Sequence, residues 1–331
     1  MDDFQWSLYI SAIGTGFLFG LVIQRGGFCL TRAFSNLVLM GDATILRAYI
    51  LALLVAMVGV QLLLSLGLVE IPIRPFRWLA NILGGALFGF GMILSGGCSG
   101  STWYRVGEGA IGAWVVLLGF AIGASTAGVG ALTPLRRALQ EPTLTVSGAS
   151  PTLYNLFGVT PWVPVVVLAV GGGVWLLRAE GEPEHGKWPW ALTGAAVGVL
   201  IAAGWWTSSL DERPVGITFT ANTGHLLTYV MVGFPTRVTW SMILLLGVVA
   251  GAATGAVLAG EFRWKLPPGW SIVKIFAGGL LMGGGALVAE GCNINQGLTN
   301  SATLSVGSLA TFASMGAGAY LALWTLYLRK G

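Results

Sequence analysis

The sequence predicts an all-α polytopic membrane protein of about nine transmembrane helices, with short broken or re-entrant helices between them and two halves related as an inverted repeat. Three observations carry that expectation. Hydrophobic residues fill 55% of the 331 positions and charged residues only 9%, against roughly a quarter charged in ordinary soluble domains. The charges leave long gaps, since residues 4–24, 48–69, 78–104, 109–135, 142–177, 188–210, 238–260 and 291–328 contain none, and a membrane helix needs about 20 apolar residues. The third observation is that one stretch of the chain repeats another.

Spans are expected near 6–24, 45–66, 77–96, 110–130, 161–177, 189–207, 238–259, 271–289 and 307–328. The eighth is crowded by Lys274, whose side chain can snorkel so that the helix starts near Trp270. The first ten residues, MDDFQWSLYI, lack the basic region and cleavage site of a signal peptide, so the first apolar run reads as a retained helix. An odd number of spans places the termini on opposite sides. With the N-terminus external, 11 Lys and Arg residues fall on the inner face and 6 on the outer, the asymmetry that orients a cell-membrane protein with its C-terminus in the cytoplasm. Residues 131–160 read as an external loop with a short interfacial helix, and EGEPEHGKW, 180–188, as a cytoplasmic hinge. The net charge of +4 and pI near 9.1 follow from that bias. No basic helix or aromatic-interleaved basic patch calls for nucleic acid as a partner; the chain's medium is membrane lipid.

Glycine occupies 51 positions, about twice its average share. Close helix packing accounts for many of them. The pairs Gly26-Gly27, Gly84-Gly85, Gly96-Gly97 and Gly278-Gly279 flank or precede the cysteines and suit broken helices, which are tolerated at membrane depth only inside protein or along a wet cavity. GGALFGFGMILSGGCSG, 84–100, aligns without gaps on GGLLMGGGALVAEGCNI, 278–294, with 7 identities in 17 positions, and Cys98 falls on Cys292. TGFLFG (15–20) and TGAAVG (193–198) each open a half. The single membrane domain 1–331 thus divides into a first half, 1–135, a linker loop and linking helix, 136–187, and a second half, 188–331, entering from opposite sides. In transporters built this way the substrate binds near the midplane, where broken helices meet.

The three cysteines, Cys29, Cys98 and Cys292, each stand beside glycine at such a break. One buried cysteine is usually a small apolar filler; three in the same setting are not. The odd count, and the entry of Cys98 and Cys292 from opposite faces, argue against a disulfide. The spacing of Cys and of the two histidines, His185 and His225, offers no metal site. A half-helix starting after each cysteine would aim its free N–H groups and positive dipole end at a cavity, and thiols are weak, polarizable donors. The inference is a soft anion.

Polar residues cluster at the same breaks. Gly97, Ser99, Gly291, Asn293, Asn295 and Gln296 either support a ligand or satisfy the interrupted backbone. Arg105 and Glu108, three apart, are expected to form a local helix pair that fixes the half-helix after Cys98. Glu290 is either solvated at the outer interface or functional, and beside an anion path it must be paired with an external arginine, protonated, or turned away. DERPVGITFTANTGH, 211–225, reads as the counterpart of the Cys29 break without its cysteine, with Thr218, Thr220, Asn222 and Thr223 in the polar part.

In order, QRGGFC, GGC followed by YRVGEG, and GCN followed by Leu298-Thr299 resemble the YeeE/YedE family of membrane proteins, the thiosulfate importers and relatives of sulfur or selenium metabolism, over nearly the whole chain. The resemblance implies a central hourglass with short helices pointing inward, a path along Cys29, Cys98 and Cys292, a small sulfur-containing anion as substrate and a TusA-like cytoplasmic sulfur carrier as partner. Glu290 stands where the family more often has a small residue. No nucleotide-binding loop is present, so no cofactor is expected and pumping would need another subunit or an ion gradient. Two function classes follow: an inner-membrane transporter of thiosulfate or a related soft sulfur or selenium anion, and a membrane sulfurtransferase or thiol redox enzyme that forms a persulfide on Cys98. An enzyme needs a base or cation beside its thiolate, and with no histidine near the cysteines the residues favour transport.

Overall fold

The computed structural model describes residues 3–146, 148, 150–177, 186–211, 214–232 and 239–329. Among these there is no β-strand, and the chain runs through fourteen α-helices. They are α1 (Asp3–Arg25), α2 (Leu30–Met40), α3 (Thr44–Ser65), α4 (Trp78–Ser95), α5 (Ser99–Gly107), α6 (Ile111–Gly128), α7 (Thr133–Gln140), α8 (Leu153–Phe157), α9 (Trp162–Leu177), α10 (Trp190–Ser208), α11 (Thr220–Val232), α12 (Trp240–Leu258), α13 (Gly269–Val288) and α14 (Val306–Leu323). A π-helical turn, Asn295–Asn300, and a 3-10 turn, Ser301–Thr303, join α13 to α14.

Nine of these helices lie where the sequence places spans. Eight, namely α1, α3, α4, α6, α10, α12, α13 and α14, are long and apolar enough to cross a bilayer. The ninth, α9, has 16 residues, about 24 Å of helix, less than the ~30 Å hydrocarbon core. The expected loop 131–160 contains two short helices, α7 and α8, instead of one. The greater part of the expected hinge, together with Arg178, His185, Arg213 and Arg237, lies outside the described residues.

Glycine sets the distances between the long helices. α1 and α12 run parallel in close contact: a Cβ on Gly16, Gly20, Gly247 or Gly251 would run into the partner's backbone. α10 lies on α3 in the same way, with Gly194 against Ala48 and Gly198 against Ala52. α6 and α13 form a third parallel pair, with Gly279 over Val116 and Gly283 over Phe120, and α4 and α14 a fourth, with Gly85 over Thr311 and Gly89 over Met315. The central pair, α4 and α13, is antiparallel, Gly84 meeting Gly285 and Gly91 meeting Gly278. Exchanging α1 with α10, α3 with α12, α4 with α13 and α6 with α14 maps this set of contacts onto itself. Without a hydrophobic driving force between helices in lipid, such close backbone approach is what holds them together.

The crowding is testable. Gly251→Ala puts a methyl group against the Phe17 backbone and is expected to lower stability by about 1–3 kcal/mol, the usual cost of overpacking. Gly171→Ala meets nothing within 4 Å and should leave the melting temperature of the purified protein unchanged. Equal melting of the two variants would show that the α1–α12 approach is not close.

Candidate functional site

Three interruptions share one local construction. α1, α4 and α13 each end in a residue with left-handed backbone, Gly27 (φ 59°), Gly96 (φ 72°) and Glu290 (φ 61°). The next residue then closes the helix end with the same long-range turn bond: Phe28 N–H donates to Ile23 O at 2.9 Å, Gly97 N–H to Met92 O at 3.1 Å, and Gly291 N–H to Ala286 O at 2.8 Å. This is the Schellman pattern that satisfies orphaned helix carbonyls. A cysteine follows at once in every case. Cys29 and Cys98 have extended backbones and occupy the N-cap positions of α2 and α5. Their carbonyls accept the first bond of the new helix, from Ala33 N–H at 3.0 Å and Thr102 N–H at 2.9 Å, and the Cys292 carbonyl accepts from Gln296 N–H at 2.7 Å. The expected half-helix after each cysteine is therefore present, although the one after Cys292 is wound as a π-helical turn.

These three starts come together inside the bundle. Ser99 Oγ, the residue after Cys98, donates to Asn293 Oδ1, the residue after Cys292, at 2.9 Å. The Tyr49 hydroxyl donates to Asn293 O at 2.5 Å and lies in an aromatic stack between Phe28 and Phe312, with ring centroids 5.1 and 5.3 Å apart. The α2 start is tied to the same region by the Phe28 ring in that stack and by Thr31 Oγ1, which donates to Met92 O at 3.4 Å. All three thiols are free and buried. Gly97 lacks a side chain where a Cβ would press on Ser101 Oγ at 3.0 Å, and a Cβ on Gly291 would lie 2.8 Å from Gln296 Cγ, so both glycines make room for neighbouring polar groups.

The polar cluster after Cys292 separates into two kinds. The Gln296 side chain is committed to the broken backbone: its Nε2 donates to Ala289 O at 2.6 Å and its Oε1 accepts from Ser308 Oγ at 2.7 Å. Asn293 and Asn295 use only their oxygens, the latter accepting from Asn300 Nδ2 at 3.1 Å. Their Nδ2 groups are buried without a partner, and such a donor costs about 1–3 kcal/mol unless something accepts from it.

The expected Arg105–Glu108 pair is replaced by longer-range bonds. Arg105 donates to Gly96 O at 2.8 Å, closing the α4 end, and Glu108 accepts from Gln24 Nε2 at 3.1 Å. Three residues put the two on one helical face, but α5 ends at Gly107, which frees Glu108 to turn toward α1. Gln24 also donates to Glu261 at 2.8 Å, and Lys187 bonds Glu261 at 2.8 Å. Burial pushes the Glu261 carboxyl up, and the hydrogen bond and charge of Lys187, with Gln24 and Arg25, outweigh it and hold the group below its usual value.

Two cavities approach the cluster from opposite ends of α13. One, of about 560 Å³, has Arg32, Arg105, Lys187, Arg263 and Lys265 in its wall against Glu108 and Glu261, near the start of α13. The other, of about 540 Å³, lies at the far end and is lined by Arg74, Arg136, Asp211, Thr218, Thr220 and Glu290 among others. Neither is lined by a cysteine, and the thiols are 0–1% exposed. Glu290 is paired: its carboxylate meets Arg77, and Arg74 Nη1 donates to its carbonyl at 3.0 Å. Sequence reading gave no sign of the Phe28–Tyr49–Phe312 stack, since aromatic residues are unremarkable in so apolar a chain. Gln24 was detectable as a lone amide at the end of a charge-free run.

The left-handed Glu290 stands where the repeat has Gly96, and a side chain in that conformation costs about 1–2 kcal/mol, so the ion pair holds it in place. Arg77→Ala is expected to lower stability by about 1–3 kcal/mol by leaving a half-buried acid unpartnered. Adding Glu290→Gly to Arg77→Ala should recover most of that loss, because it removes the stranded charge and the strain together. Thermal unfolding in detergent measures both, and a double variant no more stable than Arg77→Ala would show that Glu290 is neither strained nor stranded.

The chain is similar to known proteins along its length. It is 32% identical to the thiosulfate transporter TsuA of Spirochaeta thermophila over 95% of this chain and 98% of that protein. It is 29% identical to the thiosulfate transporter TsuA of Escherichia coli over 98% and 96%. A shorter match, 37% identical over 109 residues, joins 32% of the chain to 26% of the probable transporter YedE of Salmonella typhimurium. Residues 25–321 match the Sulphur transport family, a stretch that includes all three cysteine-bearing interruptions, and the chain belongs to that family, the YeeE/YedE membrane proteins.

Proposed function

We propose that this protein is an inner-membrane transporter that takes up thiosulfate, or a closely related soft sulfur anion, along a path formed by Cys29, Cys98 and Cys292. The observation that carries the reading is the threefold use of one device, a closed helix end followed by a buried cysteine at a new helix start, with two of the starts bonded to each other through Ser99 and Asn293. The relatives named as thiosulfate transporters support the choice of substrate.

In this reading the N-terminus is external and the C-terminus cytoplasmic. The cavity holding Arg74 and Arg136 is then the outer vestibule, and the more cationic one holding Lys187 is the inner vestibule. The two halves, 1–135 and 188–331, contribute to the path from opposite sides, and the inner face is where a TusA-like carrier would collect the sulfur compound. The chemistry at the centre is mild. Thiols offer weak polarizable donors to a terminal sulfur, and the Nδ2 groups of Asn293 and Asn295 offer donors to oxygen. Arg105, the nearest cation, already bonds Gly96 O. Binding of this strength admits an anion and still releases it, as conduction requires.

Free buried thiols at two helix starts, Cys29 and Cys98, favour a second reading, a sulfurtransferase with a persulfide on Cys98. His225 faces the outer vestibule, so neither it nor any other described histidine stands beside that pair as a base, and transport remains the better account.

Labelled thiosulfate is expected to enter liposomes that contain this protein alone; uptake no faster than in protein-free liposomes would overturn the reading. Cys98→Ser should fold normally, because serine is a good N-cap, yet slow uptake markedly, because a hydroxyl is smaller and harder than a thiol. Mass spectrometry of the wild type after turnover separates the classes, a stoichiometric Cys98 persulfide replacing transport with sulfurtransfer. Sulfate should compete about 100-fold more weakly than thiosulfate, a difference of about 2.7 kcal/mol, while selenium or sulfur analogues with a soft terminal atom compete well. Equal inhibition by sulfate would remove the cysteines as the selectivity element.

A further inference from the structure

The interruption between α10 and α11 differs from the other three. It turns through left-handed Gly216 (φ 59°), but Phe219 takes the N-cap place, its carbonyl accepting from Thr223 N–H at 3.3 Å. No thiol is present there. Oxygen and amide groups take its place: Thr218, Thr220, Asn222 and Thr223 are each 3–8% exposed, and the first three line the 540 Å³ cavity.

Most of these groups are committed. Asn222 Nδ2 donates to Thr218 O at 3.3 Å, and Thr223 Oγ1 donates to Phe219 O. The Thr220 hydroxyl is not: it is buried without a hydrogen-bond partner, on a residue that is 3% exposed and lines the cavity. It stands at the first position of a 13-residue helix, where the leading backbone N–H groups have no acceptor within the helix and the dipole end is positive. Arg74 and Arg136 share the cavity wall. The two acids there are engaged, Asp211 Oδ2 accepting from Trp240 N–H at 3.1 Å and Glu290 pairing with Arg77.

We propose that this fourth interruption is a binding station for the oxygen face of a tetrahedral oxyanion, with Thr220 as its hydroxyl donor, occupied before the anion meets the thiols. The inference rests on the transport reading for its place in the path. A helix N-terminus with a free hydroxyl and two arginines suits oxygen carrying negative charge and disfavours a cation. The station is joined to the thiol region, because Trp103 Nε1 on α5 donates to Thr223 Oγ1 at 3.2 Å, linking the half-helix after Cys98 to the first turn of α11. Sulfate and thiosulfate present the same oxygen face, so the station binds both, and the thiols discriminate afterwards. The residual inhibition by sulfate then arises here.

Binding of sodium sulfate and of sodium thiosulfate to purified wild type, Thr220→Val, Thr220→Ser and Cys98→Ser, measured by calorimetry, tests the proposal. Thr220→Val keeps the shape and removes the donor. It is expected to weaken both anions about tenfold, the size of one hydrogen bond to a charged group, while Thr220→Ser and Cys98→Ser keep wild-type sulfate affinity. In liposomes, Thr220→Val should raise the KM for thiosulfate and the sulfate inhibition constant together. Wild-type sulfate binding by Thr220→Val, or sulfate binding lost in Cys98→Ser, would overturn the station. Absence of thiosulfate uptake by the wild type would overturn the transport reading alone, since the binding comparison still decides the station.

Discussion

A helix interrupted inside a bilayer exposes carbonyls and N–H groups to a medium that cannot bond them, and every other feature of this protein answers that constraint. At three interruptions the answer is one sequence of bonds: a left-handed residue, a turn bond reaching back five residues, then a cysteine whose carbonyl starts the next helix. Carbonyls left over are taken by side chains from distant elements. Arg105 covers Gly96 O, Gln296 covers Ala289 O, and Gln140 covers Leu287 O and Val288 O at 3.2 and 3.0 Å. Among the buried side-chain atoms left unpaired beside Cys292 are two donors, the Nδ2 groups of Asn293 and Asn295. Free donors beside a helix start suit an anion better than a cation.

Holding those interruptions against one another requires a stiff frame, and the glycine contacts supply it. Four close parallel pairs, α1 with α12, α3 with α10, α6 with α13 and α4 with α14, bring backbone against backbone. Close approach gives dispersion contacts without side-chain bulk, which matters where lipid competes equally well for apolar surface. The antiparallel crossing of α4 and α13 has a particular consequence. It carries the Cys98 break toward one end of the bundle and the Cys292 break toward the other, so that Ser99 and Asn293 meet from opposite directions.

Charge is distributed to match. Cations line the two cavities, partly balanced by acids that are themselves paired, while the helix starts after the cysteines present thiols, hydroxyls and amides. Full charges in open cavities cost little desolvation, whereas an unpaired cation deep in the core would cost more. Glu290 fits this scheme: it is an acid at the rim that Arg77 neutralises, and the same pair holds a strained backbone.

The sequence by itself determined the solvent, the positions of the nine helices to within a few residues, the three cysteine-bearing breaks and the repeat that relates Cys98 to Cys292. These are local properties, because apolar run length, glycine pairs and N-cap residues act within one or two helical turns. It determined Glu290 only as far as a short set of alternatives. The tertiary structure decided which polar atoms are free. Asn293, Asn295 and Gln296 are indistinguishable as letters, and only contacts with Ser99, Tyr49, Asn300 and Ser308 leave the first two with unused N–H groups while committing the third. It also sent Glu108 to Gln24, 84 positions away, where spacing had offered Arg105. Hydrogen bonds across such separations depend on which helix faces approach, and that is fixed by packing over the whole bundle rather than by any one stretch of chain.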